Sequence, residues 1–248
     1  MSNLLELARQ IADGRSDLSG ASALASLLAE ITAGVDLDLR GGDGLRAVDI
    51  LARGSDTVEA ASAIEAMAET DFAGHMIIAP GSGETSPMMI ACYRGNAAIV
   101  EKFLELGMPA ERTETCPKLK ILAGTAFHAV VLGYKPVEAD RYIRCMGLLL
   151  AYCPDGINIA DRLRQTPVDL AVKTASSTGD RSLADAIVAF GADLSNNNGL
   201  DARSLIQVMM KTAKHADLAT VVSHGAAHRA LLAIDREERA AAARAPQP

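Results

Sequence analysis

The chain has 248 residues, enough for one or two ordinary domains or one elongated array with a sizeable buried core. Hydrophobic residues make up 49% of it, but aromatics only 3% with no Trp, so much of the apolar content is Ala and Leu, which argues for close-packed helices over a β-sandwich. A net charge of -7 argues against nucleic acid or an anionic membrane as the main partner, because both need a basic footprint, and leaves room only for a local basic patch.

The opening MSNLLELARQIADGR has Glu6 inside its apolar run and no basic n-region, so no signal peptide is expected. No apolar run approaches the roughly 18 residues of a membrane span. Residues 1–36 read as two helices, 3–12 with Leu4, Leu7 and Ile11 on one face, and 22–33 with Leu24, Leu27, Leu28 and Ile31. Asp13-Gly14 and Gly34 stop them, and residues 35–44 form a turn rich in Gly and Asp. A second pair follows at 45–55 and 57–72, then a loop over 73–85.

The stretch 86–109, SPMMIACYRGNAAIVEKFLELGMP, is the clearest pair. Pro87 suits a first helical turn, and Gly95 and Gly107 supply the stops. Ile99, Val100, Phe103 and Leu104 share one face of its second helix. After a long loop over 108–122, further pairs start at Thr125 and Thr166, the latter closing with residues 181–193. A fifth pair is expected at 201–213 and 216–223, and a last Ala-rich helix at 227–244.

The helix starts Arg46, Ser86, Thr125, Thr166 and Ser204 are 40, 39, 41 and 38 residues apart. The intervals Gly95–Gly107, Gly179–Gly191 and Ala213–Gly225 are each 12 residues. Self-similarity at this period predicts a solenoid of stacked two-helix units.

Ser86-Pro87-Met88-Met89-Ile90-Ala91, Thr125-Ala126-Phe127-His128 and Thr166-Pro167-Val168-Asp169-Leu170-Ala171 resemble the TPLHxA signature of ankyrin repeats. Phe190-Gly191-Ala192-Asp193 resembles the family's closing Gly-Ala-Asp. The sequence departs from the pattern at Met89 and Asp169, which stand in the His slot, and in its long inter-repeat loops. The resemblance implies an all-α ankyrin-repeat solenoid over residues 1–248: a helical cap (1–43), about five degenerate repeats (44–225) and a closing helix with a frayed tail (226–248). It also implies that His128 makes a local hydrogen bond in its turn.

Four cysteines (Cys92, Cys116, Cys145, Cys153) have no CxxC spacing, which fits a reduced, cytoplasmic setting. Cys92 and Cys145 are expected in the core and Cys116 on an exposed loop. His224 and His228, near His215 and Asp217, have one metal-ligand spacing, but Gly225 interrupts the helix between them and no third ligand is placed. A small metal-dependent site there is the alternative reading. The Gly-rich run at 80–85 lacks the lysine of a phosphate loop. No nucleophile with an evident base occurs, so neither catalysis nor a cofactor is expected.

Ankyrin stacks bind proteins along a concave groove lined by first helices and loop tips. By register the resemblance places Tyr93, Arg94, Leu132, Tyr134 and Lys173 there, with Lys118 and Lys120 on a neighbouring basic loop. The competing reading is that the Tyr rings pack between helices. The expectation is a non-enzymatic protein-interaction module, monomeric or weakly homo-oligomeric, with a protein partner and neither nucleic acid nor membrane. The Ala- and Arg-rich, eroded repeats point to a bacterial regulator or effector, and non-Sec secretion into a host is compatible with the N-terminus.

Overall fold

The computed structural model describes residues 3–14, 18–70, 72 and 85–193, and within them the chain forms five helix pairs. The first is α1 (Leu4–Ala12) with α2 (Leu18–Thr32), the second α3 (Ala47–Arg53) with α4 (Val58–Ala68). The third is α5 (Pro87–Arg94) with α6 (Ala97–Glu105), the fourth α7 (Ala126–Gly133) with α8 (Ala139–Tyr152). The fifth is α9 (Pro167–Thr178) with α10 (Ser182–Ala189). Odd-numbered helices stack in one row and even-numbered helices in a second, each helix meeting the next of its own row. One continuous apolar cluster runs through all five pairs.

Local sequence explains each unit. In α6 the residues Ile99, Val100, Phe103 and Leu104 are all buried, so the stripe faces the neighbouring helices. Small side chains let the odd-numbered row stack closely. A Cβ added at Gly133 of α7 would lie 1.7 Å from the Tyr93 carbonyl oxygen of α5. Asn96, after α5, ties three successive pairs together. Its amide donates to the carbonyls of Ala52 (3.0 Å) and Gly54 (2.8 Å), and its oxygen accepts from Arg141 (2.8 Å).

The starts of α3, α5, α7 and α9 follow one scheme with interchangeable parts. An acceptor three residues into the unit takes the backbone N–H of the residue before the helix. Asp49 does so for Arg46 at 3.0 Å, His128 Nδ1 for Thr125 at 3.0 Å, and Asp169 for Thr166 at 2.8 Å. Met89 has no such acceptor. There Glu114 reaches back from the following loop and accepts from both the Ser86 N–H (2.7 Å) and the Thr85 hydroxyl.

Three features differ from the sequence expectation. Helix α2 starts at Leu18, before the expected residue 22, because packing on α1 and α4 outweighs the weak helix propensity of Gly20. The expected loop over 108–122 gives way to an antiparallel hairpin that runs on to residue 124, β1 (Glu114–Cys116) with β2 (Ile121–Gly124), whose strands are too short to show an alternating pattern. Cys116 ends β1 facing inward at 3% exposure, so it is not an exposed thiol; Cys153 is the half-buried cysteine, while Cys92 and Cys145 lie in the core as expected. The expected fifth repeat, closing helix and His215, Asp217, His224 and His228 lie outside the described residues, as does the run 80–84.

Candidate functional site

Helix α5 ends at Arg94 because Gly95 takes a left-handed conformation (φ 71°). Arg94 is therefore held at the end of the helix, exposed, with Tyr93 half-buried beside it. Arg53 ends α3 just before Gly54, which is extended (φ -79°) and not left-handed. The third contributor is the hairpin, whose tip, a short 3-10 helix over Pro117–Leu119, packs against α7.

These three elements enclose a cavity of about 330 Å³. Ile90, Tyr93, Cys116 and Leu119 make its apolar lining, while Arg53, Arg94, Lys118 and Thr85 supply the polar part. Arg53 and Arg94 also line a second, polar cavity of about 510 Å³ together with Asp56, Lys135, Glu138 and Arg141. The described lining of the first cavity includes no Asp or Glu.

Of the residues singled out by register, the structure brings Tyr93, Arg94 and Lys118 into one cavity. Lys120, Leu132 and Lys173 lie outside it: Lys120 and Lys173 are exposed, and Leu132 is half-buried against the core. Tyr134 is not on the groove surface. It is 8% exposed, its ring meets Tyr142 edge-on at 5.5 Å between centroids, and its hydroxyl donates to Asp180 at 2.5 Å. Burial, followed by the Asp180 carboxylate, pushes its pKa up to about 12. Here the competing reading, a Tyr packed between helices, holds. Arg53 was missed, although Arg53-Gly54 repeats the dipeptide Arg94-Gly95 at the end of the corresponding helix, seven residues after Arg46 where Arg94 is eight after Ser86.

The hydroxyl–imidazole pair Thr125–His128 is not placed for catalysis. Thr125 is 0% and His128 1% exposed, and the ring is fully used. Because Nδ1 accepts from the Thr125 N–H, Nε2 carries the proton and donates to the Gln165 carbonyl at 2.9 Å. Burial holds the His128 pKa below its ordinary value of about 6.5, against the smaller opposing pull of Gln165, Asp161 and Asp169. As pH falls through about 6.5 the unfolded chain takes up this proton and the folded chain resists it. Stability present above that pH is therefore lost on acidification, completely once the folded-state pKa is passed. Urea midpoints measured from neutral pH to about pH 5 should fall more steeply for the wild type than for His128→Asn, by at most about 1.4 kcal/mol per pH unit, the limit for one proton. Parallel curves would remove His128 as the source.

Among the described residues no group of three His, Cys, Asp or Glu side chains is placed to hold a metal ion. No described helix is long and apolar enough to cross a membrane.

Two rows of helices, paired by tight turns and joined through a hairpin loop, make this an ankyrin-repeat fold. The crystal structure of the human ASB11 ankyrin repeat domain is similar, with a TM-score of 0.55 and 21% sequence identity over 91% of this chain and 84% of that one. At that identity the likeness establishes the fold alone. No protein-family profile matches the sequence, and no curated protein matches it either.

Proposed function

We propose that the chain is a non-catalytic interaction module that holds a partner protein on the surface around Tyr93, Arg94 and Lys118. The observation that carries this reading is the convergence of an aromatic and cationic side chains from three separate elements on one partly apolar cavity. Tyr and Arg are the residue types that most often anchor protein interfaces. Both are displayed from a stacked helix end, so little order has to be gained on binding. Lys120, Leu132 and Lys173 would extend the contact outward, where truncation costs less. The free thiols of Cys92, Cys116, Cys145 and Cys153 fit a cytoplasmic regulator.

Affinity capture from cell lysate, quantified by mass spectrometry, tests the reading. Tyr93→Ala combined with Arg94→Ala should lower capture of the specific partner at least about tenfold, as expected for loss of two anchors. The unfolding midpoint should stay nearly unchanged, since neither side chain belongs to the sealed core. Full capture by the double variant would place the binding surface elsewhere.

A further inference from the structure

We propose that the end of the stack formed by α1 and α2 carries a second interaction surface, which takes a lysine or arginine side chain from a basic peptide segment of a partner protein. It is independent of the surface around Tyr93. The charge of the chain is spread unevenly. Residues 1–72 hold thirteen Asp and Glu against five Arg, a net charge of -8, whereas residues 73–248 hold eighteen against nineteen Lys and Arg, a net charge of +1. The whole negative excess therefore lies in the first two helix pairs and their connections, where its field draws in basic partners.

In that region the end of α2, the turn after it and the segment after α4 enclose a cavity of about 310 Å³. Ile31, Val35, Leu37 and Phe72 make its apolar wall, and Asp36 and Asp38 stand in the same lining. An apolar wall beside a carboxylate matches a side chain with an apolar stem and a cationic head. The volume is at the small end of ligand sites and suits one such side chain. Asp38 is already engaged with Arg46 at 3.7 Å, and Arg46 with the Asp49 fork, so Asp36 supplies the counter-charge. Asp36 is exposed, its Oδ1 accepts from the Asp38 N–H at 3.0 Å, and no described Lys or Arg pairs with it. Leu28, one turn before Ile31 on the same face of α2, is 36% exposed, and no charged residue occurs from Leu18 to Ala29. The peptide on either side of the inserted stem therefore has an uncharged helix surface to lie on.

Fluorescence anisotropy with a labelled KSKSKSK peptide tests this on the full chain. The peptide should bind saturably and more weakly as salt is added. Asp36→Asn should weaken binding about fivefold, and Val35→Thr, which puts a hydroxyl into the apolar wall, about threefold. Glu59→Gln removes the same charge near the start of α4. That position is about 15 Å away along the helix, beyond the screening length of about 8 Å at 0.15 M salt, so affinity should stay within about twofold. Binding should also survive Tyr93→Ala with Arg94→Ala, which separates the two surfaces. No saturable binding, an Asp36→Asn effect no larger than that of Glu59→Gln, indifference to Val35→Thr, or loss of binding in the Tyr93 and Arg94 double variant each overturns the proposal. So does a dimer mass in light scattering that Asp36→Asn reduces to one chain, which would give the surface to a second copy.

Discussion

Asp49→Ala is expected to remove about 3–5 kcal/mol of stability, measured by chemical denaturation. Asp49 is 0% and Arg46 2% exposed, and the two meet in a fork: Nε to Oδ2 at 2.9 Å and Nη2 to Oδ1 at 3.1 Å. The Arg46 guanidinium also stands 5.8 Å from the centre of the Phe72 ring and 3.7 Å from Asp38. Removing Asp49 takes the forked carboxylate away from a guanidinium that stays inside the stack. The loss is a large share of the roughly 5–15 kcal/mol that holds an ordinary domain together. The double variant Arg46→Leu with Asp49→Leu should lose less than Asp49→Ala, because replacing both buried charges with apolar groups removes the desolvation cost. It should still lose about 1 kcal/mol, since the Arg46 N–H at the start of α3 then has no acceptor. A cost under about 1 kcal/mol for Asp49→Ala would show that water reaches the pair.

Gly133→Ala is expected to cost about 3 kcal/mol, the upper end for overpacking, and to weaken partner binding as well. The added methyl would meet the Tyr93 carbonyl oxygen at 1.7 Å, its carbon at 2.5 Å and its Cα at 2.8 Å, all backbone atoms that no rotamer change can move. Relief requires α5 and α7 to part, which displaces Tyr93 from the cavity. Gly147→Ala in α8 is the matched control. Its nearest new neighbour would be the Phe190 ring at 3.7 Å, an ordinary contact, and the change should stabilise the helix by about 0.5–1 kcal/mol. Equal midpoints for the two variants would rule out close approach of α5 and α7 as the reason for glycine at 133.

What could be read from the sequence was what is local. The Gly stops and the Ile99–Leu104 stripe depend on neighbours within a turn or two, so the helix pairs and their period stood out. Tyr93 and Arg94 were legible for the same reason, being fixed by the helix end that Gly95 imposes. Tyr134 was not, because its hydroxyl partner Asp180 is 46 residues away and belongs to the next unit. The inward face of Cys116 was equally hidden, since it depends on a three-residue strand pairing across a hairpin. Arg53 lacked only a comparison, as the Arg-Gly dipeptide that closes its helix recurs at Arg94-Gly95.

The substitutions at the odd-numbered helix starts have a consequence for descent. Asp49, His128 and Asp169 deliver a lone pair to the same point relative to the helix they open, and Glu114 delivers one from 28 residues downstream of Ser86. What these units share at that point is an acceptor in space, and neither its side-chain type nor its place in the chain is fixed. Lineages that keep such a fold can exchange one supplier for another without unravelling the helix. An alignment that compares letters column by column records those exchanges as decay, while the architecture they preserve is intact.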